Sequence, residues 1–218
     1  MIPLGGDPWT ISTSTDPNID FTVWILHRDG LRAGVFSWHP DGDGSLRSAG
    51  LTAEVWLSWF ERVVRAASQR ANAVRGDPAG IRQRGNPNLE VGRAQTAAGM
   101  FRAPDATRDL LLEIWPAYLL RSRERADREI ARLVERQNRL TEEDAEALVT
   151  RERQFWDDLQ AYRPLPPLQV YLVEYVKPVV TVVPPDAAVI GFIDPQEDDL
   201  GKYSSLVLEG ASLLKQAK

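Results

Sequence analysis

The chain has 218 residues, 43% apolar and 26% charged, with a formal net charge of −5. This is globular composition with enough apolar material for a sizeable core. There is no cysteine, which removes disulfides, thiol nucleophiles and cysteine-ligated zinc and fits a cytoplasmic protein.

No apolar run approaches the roughly 18 residues of a spanning helix. The first residues, MIPLGGDPWTIST, have neither the basic nor the apolar region of a secretion signal. The expectation is therefore a cytoplasmic chain with no membrane segment. Of the 26 basic residues, 22 are Arg and 4 are Lys, a bias that a GC-rich genome would produce. Residues 61–139 hold 16 Arg against 10 acids, and the remainder carries a net −11. A chain polarised in this way either pairs its own basic and acidic parts or presents the basic part to a partner.

Taken in chain order, residues 19–39 place two apolar, β-branched and aromatic runs on either side of Asp29-Gly30. Asp-Gly accepts the positive φ angles of a two-residue turn, so the pattern predicts an antiparallel hairpin, apolar on both faces. A helix is expected over 52–73. Thr52 is its N-cap, and Trp56, Trp59, Phe60, Val63, Val64 and Ala67 form its buried stripe. Residues 75–92 read as a loop, and 93–102 as a short helix.

A long helix starts near Asp105, is kinked or broken at Pro116, and resumes to about residue 138. Its later apolar side is Leu119, Ala126, Ile130, Leu133 and Val134. Thr141-Glu-Glu-Asp144 resembles a capping box and opens another helix up to about residue 162. Its stripe is Ala145, Leu148, Val149, Phe155, Trp156 and Leu159. Two amphipathic helices so closely joined should pack antiparallel as a helical hairpin.

Residues 168–183 read as one long strand, bent at Pro178. Proline has no ladder donor, so this strand is expected at a sheet edge. Pro184-Pro185-Asp186 should turn the chain back into a strand over 188–193, and the C-terminal segment should be helical despite Gly210. The fold class expected is α+β. An antiparallel or mixed sheet, built from the N-terminal hairpin and the C-terminal strands, is packed by helices. Residues 1–218 form a single domain, from which the helical hairpin 105–162 protrudes as a subdomain.

The functional candidates are few. In the hairpin register His39 faces Asp20, with Asp41 and Asp43 nearby. That cluster, Asp20, His39, Asp41 and Asp43, is a weak divalent-cation candidate beside the simpler reading of a solvated Asp-Gly turn. The DGDGS spacing lacks the glycine and the glutamate of a calcium loop, since Leu46 and Thr52 stand in their places. His27 is at the other end of the hairpin.

Arg121, Arg125, Arg128, Arg132, Arg136 and Arg139 step by four, three, four, four and three, and so share one helix face. Such a stripe suits a partner or a phosphate backbone. Interleaved acids such as Glu124 and Glu135 also allow it to be a self-paired, solvated face. Glu174 shares a strand face with Leu168, Val170, Leu172 and Val176, where a carboxylate would titrate high as a catalytic acid does, unless it points outward or pairs with an arginine. The SxxK at Ser212 and the GK at Gly201 lack their companion motifs. No cofactor motif is present.

The leading reading is a non-enzymatic cytoplasmic binding or assembly protein acting through protein–protein contacts or self-association. A nucleic-acid binder using the helix 121–139 is the first alternative. An enzyme using the carboxylate and His39 cluster is the second.

Overall fold

Four strands make the sheet, in the order β1-β4-β6-β5. They are β1 (Ile11–Ser14), β4 (Leu168–Glu174), β5 (Val179–Val183) and β6 (Ala187–Phe192). Two short strands, β2 (Arg32–Ala33) and β3 (Phe36–Ser37), pair apart from it. The helices are α1 (Pro17–Asp29), α2 (Ser45–Ser48), α3 (Ala53–Gly76), α4 (Asp105–Arg139), α5 (Glu142–Leu159) and α6 (Leu200–Gln216). This computed structural model describes residues 11–37, 42–76, 105–139, 141–162, 167–175, 178–192 and 200–217. The α+β class and the long helix pair in the middle of the chain are as the sequence predicts.

Strands β1, β4 and β6 run parallel, and β5 joins β6 antiparallel. Alternation sends the two faces of each strand to different layers. Tyr171, Val173, Val183, Ala187 and Val189 meet α1, α3 and the first half of α4 in one core cluster. Leu168, Val170, Val180, Ala188 and Ile190 meet α6 and the end of α5 in another. Helices thus cover both faces of the sheet, the arrangement a mainly parallel sheet requires. The α4–α5 pair starts in the first layer, through Leu111, Ile114, Trp115 and Tyr118. It ends in the second, through Phe155 and Leu159.

The expected hairpin over 19–39 is overturned, because residues 17–29 are helix α1. Asp16 caps it, its carboxylate accepting from the backbone N–H groups of Asn18 and Ile19. Pro17 occupies the first turn, and Gly30 closes the helix at φ 66°. Asp29-Gly30 is therefore a helix end, not a hairpin turn. Ile19, Phe21, Val23, Ile25 and Leu26 are all buried. A helix covered nearly all round is apolar nearly all round, which is why it imitates a two-faced strand. The hairpin that does form is the small β2–β3 ladder just downstream.

The single bent edge strand over 168–183 is also overturned. The segment is two strands, with β6 inserted between them. β4 is central, with β1 on one side and β6 on the other. Its near-continuous apolar run is the signature of a strand buried on both faces. Of the two, β5 is the one at an edge, and Pro178 stands just before it, where no ladder donor is needed. The turn at Pro184-Pro185-Asp186 forms as expected, and β6 follows it.

Thr52 caps α3 through the Val55 N–H, and α3 ends at Gly76. The predicted helix 93–102 and most of the predicted loop lie outside the described residues. α4 continues through Pro116 without a break. Pro116 is exposed, so water can reach the carbonyl it leaves unbonded. The capping box at Thr141 and Asp144 is complete: the Thr141 hydroxyl accepts from the Asp144 N–H, and Asp144 accepts from the Thr141 N–H.

Gly210 is inside α6, where propensity disfavours it. Its use is close approach. A Cβ there would sit 3.0 Å from Ala188 Cβ and 3.3 Å from Val180 Cγ2. Gly210→Val should therefore destabilise the protein by about 1–3 kcal/mol in urea unfolding, the usual cost of overpacking. Helix propensity alone predicts a gain, so unchanged or increased stability would remove the close-approach explanation.

Candidate functional site

The first turn of α1 delivers Asp20, which is 4% exposed. An isolated carboxylate at such a site would cost several kcal/mol. It is not isolated. Its Oδ1 accepts from Arg125 Nη1 at 3.1 Å and from the Glu174 backbone N–H at 3.0 Å. Its Oδ2 accepts from the Tyr118 hydroxyl at 2.9 Å. Three elements far apart in sequence, α1, α4 and the end of β4, are tied at one side chain.

Glu174 closes the cluster. Its carboxylate receives Arg121 Nη2 at 2.9 Å and Arg125 Nη1 at 3.3 Å. Tyr118, Arg121 and Arg125 are three and four residues apart, so α4 presents them on one side. They continue the buried stripe of Leu111, Ile114 and Trp115. At Tyr118 that stripe changes from apolar packing to charge pairing. Phe21 of α1 stacks edge-on against Trp115 at 4.7 Å and Tyr118 at 5.1 Å, fixing the ring whose hydroxyl reaches Asp20.

Two arginines and two carboxylates leave the cluster neutral in sum. Burial and the neighbouring Asp20 push the Tyr118 phenol far up, so it remains a protonated donor. Burial works against the charge of Arg125, but Asp20, Tyr118 and Glu174 outweigh it and hold the guanidinium charged. His27 lines the same recess, with Trp24 and Ser122. Its pKa is lowered, first by burial and then by Arg121, against an opposing pull from Glu174. The recess has a cavity volume of about 20 Å³, room for roughly one water molecule. Chemically the arrangement is a brace: acids and guanidinium groups pair with each other across the recess.

Of the arginine stripe, Arg121 and Arg125 are therefore held by the chain's own acids. Arg128 is exposed and Arg132 partly so, while the side chains of Arg136 and Arg139 are outside the described residues. Of the metal candidate, His39 and Asp41 are outside the described residues. Asp20 belongs to the brace. Asp43 pairs with Arg28 at 2.9 Å and accepts from the Ser45 N–H and hydroxyl. Those Ser45 hydrogen bonds, with Arg28, hold the Asp43 carboxyl below its usual range. Among the described residues no three His, Asp or Glu side chains are grouped to hold a metal ion. Sequence reasoning missed Tyr118 and the role of Asp20. The signal available was the polar continuation of the buried stripe on α4.

The second feature is the outer surface of the helix pair. Leu112, Leu119, Leu120, Ile130 and Val134 on α4, with Val149 and Trp156 on α5, are between 37% and 61% exposed. Ala126 and Ala145 are exposed too. The expected mutual burial of the two apolar stripes is not what these side chains show. The core takes Leu111, Ile114, Trp115 and Tyr118 of α4 and Phe155 and Leu159 of α5; the apolar residues just named are exposed.

No family model, curated protein or solved structure matches this chain.

Removing Arg125 would leave Asp20 a buried charge short of its cationic partner. Arg125→Ala should cost about 2–4 kcal/mol in urea unfolding, near the lower end for unpairing a buried charge because Arg125 is partly exposed. In an Asp20→Ala background the same change should cost at least about 1 kcal/mol less. Additive losses would mean that the two groups are not coupled.

Proposed function

We propose that this chain is a non-enzymatic binding or assembly protein acting through protein–protein contacts, with the outer face of α4 and α5 as its contact surface. The observation that carries the reading is the row of exposed Leu, Ile, Val and Trp side chains along both helices. Exposed apolar residues scattered singly are ordinary, but apolar side chains recurring along one side of a helix mark an interaction site. The brace supports the same reading, since it fixes α4 to the sheet and lets the outer face be presented in one orientation. The face needs cover, and a partner supplies it.

The alternatives draw less support. A nucleic-acid reading loses Arg121 and Arg125, which are paired to Glu174 and Asp20. An enzymatic reading has its best-assembled acids engaged in the brace. A cytoplasmic setting remains part of the proposal, in keeping with a cysteine-free chain. Among the described residues no helix is long and apolar enough to cross a membrane.

The test is the size of the protein in a fresh extract of the cells that make it, read by size exclusion with an antibody to a small tag. The chain should elute well above its 24.4 kDa. The double substitution Ile130→Glu and Val134→Glu should return it to that mass with an unchanged circular dichroism spectrum. Elution at the monomer mass for both proteins would end the reading.

A further inference from the structure

From the pattern and charge of the two helices, we infer that the partner covering this face is a second copy of the chain, with α4 of each copy laid against α5 of the other. The inference rests on the reading that α4 and α5 form the contact surface. Leu112, Leu119 and Ala126 are seven residues apart, with Ile130 and Val134 on the same side of α4. Val149 and Trp156 are seven residues apart on α5. A seven-residue apolar repeat is the pattern by which one helix seats against another, knob into hole. Both helices therefore ask for a helical occupant.

Charge selects which helix. Residues 121–139 contain seven Arg and four acids, whereas Glu142–Leu159 contains seven acids and two Arg. Arg121 and Arg125 are spent on Glu174 and Asp20, but Arg123 and Arg128 are exposed. Around the outer stripe of α5, Glu143, Glu146 and Glu152 are exposed as well. Two copies of α5 brought together would repel, so like-with-like pairing through α5 is disfavoured. α4 against α5 of another copy is the favoured combination.

A two-fold axis makes the α4-to-α5 contact twice, once in each direction, so one surface satisfies itself. No second protein species is required. Residues 119–139 span about 31 Å and α5 about 27 Å at 1.5 Å per residue. Two helices of that length offer contact on the scale of the roughly 800 Å² per partner that a stable interface buries.

The experiment is sedimentation velocity on the purified full chain, nuclease-treated, between about 1 and 100 μM, the range in which a micromolar dimer would form and dissociate. The mass should rise to twice 24.4 kDa. Ile130→Glu and Val149→Lys should each weaken association at least about tenfold. Arg123→Glu and Glu152→Arg should each weaken it, and mixing those two variants should restore a dimer, because every α4-to-α5 contact in the mixture is again of opposite charge.

A monomer at every concentration overturns the inference. So does a dimer indifferent to both apolar substitutions. Failure of the mixture to restore association overturns the α4-to-α5 pairing. If the purified chain is monomeric while the assembly in extracts persists and still requires Ile130 and Val134, the occupant is a different protein. The second-copy inference then fails and the contact reading stands. If neither preparation exceeds the monomer mass, both fail.

Discussion

A buried carboxylate is tolerable only when donors surround it, and Asp20 has them from three directions. Arg125 comes from α4, Tyr118 from about two turns earlier on the same helix, and the backbone N–H of Glu174 from the end of β4. Satisfying one side chain fixes the position of a long helix against the sheet. Before Tyr118, α4 is held by apolar burial. From Tyr118 to Arg125 it is held by hydrogen bonds and charge. Beyond Arg125 the exposed positions take over, and its outer apolar stripe finds no cover in the described residues of this chain.

The same device recurs. Asp29, fully buried at the end of α1, accepts from the Leu46 and Arg47 N–H groups and pairs with the Arg47 side chain. Asp186 accepts from Ser68 and Asn72 of α3. Asp16 pairs with Arg70 at 2.9 Å. Each of these acids caps or joins elements that apolar packing alone would leave free to slide. Three of the partners, Arg70, Arg121 and Arg125, come from the basic segment 61–139, and their acids come from the acidic remainder. The charge polarity of the sequence is thus in part an internal pairing, which is why the arginine stripe is a poorer guide to a partner than the apolar stripe beside it.

How much of this could be read beforehand depends on whether the governing physics is local. The α3 stripe, the capping box at Thr141, the helix pair and the turn at Pro184-Pro185 are set by residues within a few positions of one another, and the sequence shows them. α1 reads as a strand in the sequence because a helix buried on nearly every side loses its 3.6-residue contrast. Asp-Gly is also as good a helix end as a hairpin turn. The cap at Asp16 followed by Pro17 was the local clue that favoured helix. The central place of β4 is hidden in the sequence because parallel pairing with β1 and β6 leaves no mark except a longer apolar run. The brace was illegible in a stronger sense. Asp20 is 98 residues from Tyr118 and 154 from Glu174, and no local pattern announces that they meet. What the sequence did contain was the choice for Glu174 between a carboxylate titrating high on an apolar face and one that is outward or paired with an arginine; in the structure it is exposed and paired with Arg121 and Arg125.

The claim on which the rest turns is that the Asp20 brace, not helix propensity or apolar contact alone, holds the middle of α4 in place. Amide hydrogen exchange on Arg125→Ala tests it most directly. The account predicts that protection over residues 118–125 falls by at least about tenfold while β4 and β6 keep theirs, because a local anchor has been cut without unfolding the sheet. Unchanged protection in that segment would contradict it, and α4 would then have to be fixed by its apolar half alone.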